Sequence, residues 1–191
     1  LGVPLTYEKR ENILDTEIVK ILRQSTLLLN ALWTNNRSMI NEHFPQVLSQ
    51  PYWDIPVVEV WRTNWQFAKK EDKRDWAEIA LENNALSEAV NFYLTLSGAV
   101  ATTPLESILD QLMGTIPVMI GAKEYYSKLK DYYFAKELRS VDAVKYYEAI
   151  THLSIIRSHL REYQNSSDHS LTLTDFLDFF AMYESAGEGL I

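Results

Sequence analysis

From Thr16 onward, apolar positions recur every three or four residues. Ile18, Ile21, Leu22, Ser25, Leu28, Leu29 and Leu32 share one face of a helix, with Asp15 or Thr16 placed to cap it. A second helix is expected over residues 38–49, kinked or ended by Pro45. Gln50-Pro-Tyr-Trp-Asp-Ile-Pro56 reads as a connection, and Pro56 suits the first turn of a helix running to Phe67. Beyond a charged joint, Trp76, Ile79, Ala80, Asn83, Leu86, Val90 and Tyr93 keep the helical period and predict one long amphipathic helix. Thr103-Pro-Leu-Glu106 predicts a capping box for a short helix that stops at Gly114.

Residues 115–121 read as irregular and apolar, followed by helices over 123–134 and 141–163. After a polar loop at 164–170, Thr172 and Asp175 form a second capping box for a last helix. That helix buries Phe176, Leu177, Phe180 and Tyr183 and stops near Gly187. Only the start breaks the helical pattern. Residues 3–7 alternate weakly and read as one short strand, too short to be stable without partners. The expected class is all-α, with about eight helices in one or two packed bundles behind a short extended segment.

Composition supports a folded core. The 191 residues are 47% hydrophobic and 12% aromatic, which excludes a disordered chain. No apolar run approaches the length of a membrane span, and residues 1–6 have no signal-peptide pattern. The absence of cysteine removes disulfides, zinc ribbons and thiol nucleophiles, and suits the cytoplasm. A formal charge of −8 argues against a mainly nucleic-acid-binding module, although phosphate contact depends on local patches.

Complete catalytic motifs are missing from the sequence. There is neither GxxxxGK[ST] nor GxGxxG, no serine-hydrolase elbow, no HExxH and no EF-hand loop. Glu148, His152 and His159 fall on one helical face, but a di-iron bundle needs a second ligand set, so they read as a polar flank. Asp175, Asp178, Glu184 and Glu188 read as helix-dipole partners and solvated positions. No catalytic or metal residue is assigned. Trp53, Trp61, Trp65, Phe67 and Trp76 are set against a base-stacking platform and read as core, Trp61 and Trp65 being four residues apart. Two basic features remain: Lys9 with Arg10, and Lys69, Lys70, Lys73 and Arg74. Each is a solvated joint or a candidate for contact with DNA phosphates.

Four stretches carry a resemblance. They are Gly2-Val-Pro-Leu-Thr-Tyr-Glu-Lys-Arg-Glu-Asn-Ile-Leu-Asp15; Phe44-Pro-Gln-Val-Leu-Ser-Gln-Pro-Tyr-Trp-Asp-Ile-Pro56 with Val60-Trp-Arg62; Pro104-Leu-Glu-Ser-Ile-Leu-Asp110; and Leu171 through Gly189. Together they resemble the region inserted in the second motor half of UvrD/Rep-type superfamily 1 DNA helicases. The resemblance implies a lead-in strand and junction at 1–15, a helical accessory (2B-like) subdomain at 16–187, and a return towards the motor at 188–191. It implies DNA, the motor domains and regulatory proteins as partners, with no membrane. ATP and Mg would belong to the parent chain, and the segment alone would not hydrolyse ATP. Tyr7 and Gly187 should then lie close together. Gly114-Thr-Ile-Pro117 matches the family's duplex-gripping helix–hairpin–helix poorly. The alternative is a free-standing helical module that binds other proteins in its grooves.

Overall fold

The computed structural model describes residues 12–69, 74–135 and 140–186. The expected strand at 3–7, and both Tyr7 and Gly187, lie outside them. Among the described residues the fold is all-α apart from one small hairpin. Among the described residues it has nine helices: α1 (Glu17–Trp33), α2 (Arg37–Leu48), α3 (Val57–Phe67), α4 (Trp76–Leu81), α5 (Ser87–Ala99), α6 (Leu105–Met113), α7 (Leu129–Phe134), α8 (Ala143–Ser166) and α9 (Leu173–Ala186).

Helix α1 is the axis of the core. Ile18, Ile21, Leu22, Ser25, Leu28 and Leu29 are all buried, and α2, α5, α6, α8 and α9 pack around them. Asn36 caps α2 by accepting from the Met39 amide, and Pro45 sits inside that helix without ending it. Phe44 on α2 stacks on Trp76, with ring centroids 5.7 Å apart, and meets Tyr93 edge-on. Ser25, Tyr52 and Tyr93 form a closed hydroxyl triangle in this apolar interior. Tyr93 donates to Ser25 at 3.0 Å, and Tyr52 lies 3.4 Å from Ser25 and 3.3 Å from Tyr93. Buried hydroxyls without partners would be costly, so the triangle supplies each with at least one.

Several expected elements are corrected. The single long helix from Trp76 is two helices, because the Asn83 side chain accepts from the Ala85 amide and turns the chain before Leu86 is buried. Residues 115–121 are not wholly irregular. Strands β1 (Val118–Ile120) and β2 (Lys123–Tyr125) pair antiparallel, Met119 opposite Glu124, around a left-handed Gly121. The helix expected from 123 therefore starts at Leu129. The Thr103–Glu106 box does not form. Pro104 takes the cap position of α6 with no side-chain cap bond, and Glu106 instead lies 3.9 Å from Arg161. At α9 the second box does form: the Asp175 carboxylate accepts from the Thr172 amide, and the Thr172 hydroxyl accepts from the Asp175 amide. Gly114-Thr-Ile-Pro117 leads into β1, not into a second helix.

Candidate nucleic-acid interface

The joint between α3 and α4 carries the described part of the basic cluster. Helix α3 turns Val60 and Thr63 inward, with Asn64 half-buried beside them. Asn64 accepts a 2.6 Å hydrogen bond from the indole Nε1 of Trp76, the first residue of α4. Asp75 caps α4, its amide donating to Glu78 at 2.7 Å, and its carboxylate accepts from Arg37 and Asn41. The Trp76 amide donates to Asn41 at 2.9 Å. Both polar and apolar contacts thus hold the α4 side of the joint against α2 and α3.

The outer face of α3 corrects the reading of its tryptophans. Trp53 and Trp76 are buried core residues, but Trp61 is 69% exposed and Trp65 is 76% exposed. Val57 and Val58 are exposed beside them. The helix has apolar residues on two faces, and the core takes the one bearing Val60, Thr63 and Phe67. The presence of apolar residues on both faces was the available signal, since a core-facing helix needs only one stripe.

Val58, Trp61, Arg62, Trp65, Gln66, Lys69 and Arg74 line an open concavity of about 870 Å³. Among the described residues its lining holds three cations and no carboxylate. Carboxylates do approach the cations from outside. Arg62 donates to both oxygens of Glu59 at 2.7 Å, and Asn83 donates to the same carboxylate at 3.0 Å. Arg74 donates to Glu82 at 2.6 Å. Of the candidate phosphate-binding residues, the structure therefore brings Lys69 and Arg74 to one surface with the two indoles. Lys9, Arg10, Lys70 and Lys73 lie outside the described residues.

Other candidates have structural partners. His159 lies 3.4 Å from Glu162 and against the Tyr183 ring, while Glu148 is exposed on α8. Among the described residues, no three His, Asp or Glu side chains form a metal-holding group. Asp175 serves the α9 cap, and the Thr172 hydroxyl bond, with help from His169, holds its carboxyl below the usual range. Glu184 takes both terminal nitrogens of Arg23, at 2.5 and 2.8 Å. A separate cleft of about 520 Å³ runs between α6 and α8, floored by Leu105, Leu109, Ile156 and Leu160. Among the described residues, no helix is long and apolar enough to cross a membrane. Comparison of the chain with protein-family models, curated proteins and solved structures finds no match.

Proposed function

We propose that this chain is the inserted accessory subdomain of a UvrD/Rep-type DNA helicase, a cytoplasmic ATP-dependent enzyme that unwinds 3′ to 5′. Its role is to regulate unwinding through contacts with duplex DNA, the motor domains or regulatory proteins. ATP and Mg act on the motor halves, and no residue of this chain is assigned to them.

One packing relation carries the reading. Arg23 on the first helix and Glu184 on the last form a two-pronged ion pair, so α1 and α9 lie side by side. An inserted subdomain must leave and rejoin its host through neighbouring segments, and this pairing supports that path. A second reading, a module that docks partner helices, draws on the apolar cleft between α6 and α8.

The test combines ATPase assays with duplex binding followed by fluorescence anisotropy across a salt series. The purified chain should turn over no ATP, with or without single-stranded DNA. Its duplex affinity should fall with salt at a slope of about −0.9 per phosphate contact. Changing Lys69, Lys70, Lys73 and Arg74 together to Ala should weaken binding across sequences and flatten that slope. Wild-type affinity and slope in that variant would reduce the cluster to a solvated joint, and ATP turnover that copurifies with the chain would defeat the accessory reading.

A further inference from the structure

The accessory reading leaves the exposed tryptophans of α3 unexplained. A large apolar side chain left in water forgoes roughly 1.5–3 kcal/mol of burial, so two such indoles one turn apart call for an occupant. We propose that Trp61 and Trp65 stack on the bases of single-stranded DNA, with Lys69 and Arg74 receiving its phosphates.

The charge pattern selects the occupant. In a chain of net charge −8, the concavity around the indoles is lined by Arg62, Lys69 and Arg74 and, among the described residues, by no carboxylate. An apolar partner helix seated there would strip water from these cations without compensating them. A polyanion with flat aromatic rings supplies both missing complements. Four helical residues rise about 6 Å, close to two 3.4 Å base steps, so the indoles are spaced for bases two steps apart or for one base held between them. Duplex DNA does not fit as well, because its base faces are already stacked on each other, whereas an unpaired strand offers them to aromatic side chains.

The carboxylates at the rim set the strength of the site. Glu59 is largely buried and also bonded to Asn83, so Arg62 stays in place at the edge. Glu82 is more exposed than Arg74 and yields to a phosphate. Lys69 lies in the lining with the two indoles and, among the described residues, no ion pair holds it, so its ammonium is open to a phosphate.

The inference rests on the accessory reading only for the presence of DNA beside this chain. Its test is a low-salt titration of the 191-residue chain with an oligothymidylate and, separately, with a mixed-sequence duplex. Tryptophan emission and anisotropy are both recorded. Oligothymidylate should quench the emission. Trp61→Ala and Trp65→Ala should each weaken its binding roughly five- to hundredfold. Trp65→Phe should retain most of the affinity, and all three variants should keep the wild-type helical circular dichroism, because the indoles are exposed. Wild-type oligothymidylate affinity in the double alanine variant overturns the proposal. Duplex binding that ignores the tryptophans, with no oligothymidylate binding, also overturns it but leaves the accessory reading standing. Failure to bind either DNA overturns the stacking site, whereas the accessory reading is defeated by ATP turnover that copurifies with the chain. Self-association that disappears in Trp61→Ala would assign the face to a second copy and overturn the stacking site.

Discussion

The indole of Trp76 donates to the side-chain oxygen of Asn64 at 2.6 Å, joining α4 to α3. Trp76 is fully buried and stacked on Phe44, so its N–H has no route to water. Asn64 lies on α3 one residue before Trp65. The bond that closes the core therefore also helps set which face of α3, and which tryptophans, point outward.

Asn64→Ala should destabilise the fold by about 1–3 kcal/mol, since it leaves a buried donor without an acceptor. Asn64→Asp keeps an oxygen at the same place and should lose much less. Urea unfolding followed by circular dichroism checks both. Equal losses in the two variants would show that packing, not the hydrogen bond, matters at this position.

Two glycines should respond in opposite directions. Gly114 ends α6 at φ +80°, and a β-carbon there would stand 2.1 Å from the Ser127 carbonyl oxygen. Gly114→Ala meets both a left-handed backbone and a backbone clash, so it should cost more than about 2 kcal/mol. Gly98 lies within α5 with open space around it. Gly98→Ala should stabilise by about 0.4–1 kcal/mol. Thermal melting of the pair checks the contrast, and a neutral Gly114→Ala would mean that the turn into β1 relaxes freely.

Helices with one unbroken apolar stripe were legible in the sequence. Helix α1 shows this, since Ile18, Ile21, Leu22, Leu28 and Leu29 all turn inward as their spacing predicts. Helix α9 was legible at its start, because Thr172 and Asp175 carry a local hydrogen-bond code. Thr103 and Glu106 have the same letters without the same structure, for Pro104 occupies the cap itself. The hairpin at 118–125 was not legible, because three-residue strands are too short to show alternation. At the candidate site the sequence marked the charges but misread the indoles. Helical spacing puts Trp61 and Trp65 on a common face, yet only the tertiary fold decides that the face with Val60 and Thr63 is buried.

The α9 cap should make stability sensitive to acid. The Asp175 carboxyl is held below its ordinary value chiefly by the Thr172 hydroxyl, so the folded state favours the ionised form. Its stabilisation is complete above the ordinary carboxyl range and is lost as pH falls through the lowered folded value. Asp175→Asn should flatten the acid limb of a stability–pH curve. Thr172→Ala should cost about 1 kcal/mol at neutral pH and reduce the same limb. Chemical unfolding at a series of pH values reads both, and an unchanged limb in Asp175→Asn would move the acid sensitivity to other carboxylates.

At alkaline pH the buried phenols should decide when the fold fails. Burial pushes Tyr125 up to about 12, with the Glu88 carboxylate adding to the shift. Burial also raises Tyr52 and Tyr93, and it raises Tyr133 with Glu17 adding to the effect. For an acid whose folded value is raised, the unfolded chain ionises first. Stability is therefore fully present below the ordinary phenol value of 10.0 and is lost as pH climbs from there through the folded values. Tyr52 and Tyr93 share the Ser25 triangle, so ionising either places a charge beside hydroxyl neighbours in an apolar interior. Absorbance at the phenolate band should rise late and cooperatively with loss of helical signal, as the buried phenols ionise. Tyr52→Phe removes one buried phenol but leaves Tyr93 bonded to Ser25, so it should delay alkaline unfolding while costing only about 0.5–1.5 kcal/mol at neutral pH. A phenolate titration that runs smoothly through the ordinary value, with no late cooperative step, would show that these tyrosines reach solvent without unfolding the core.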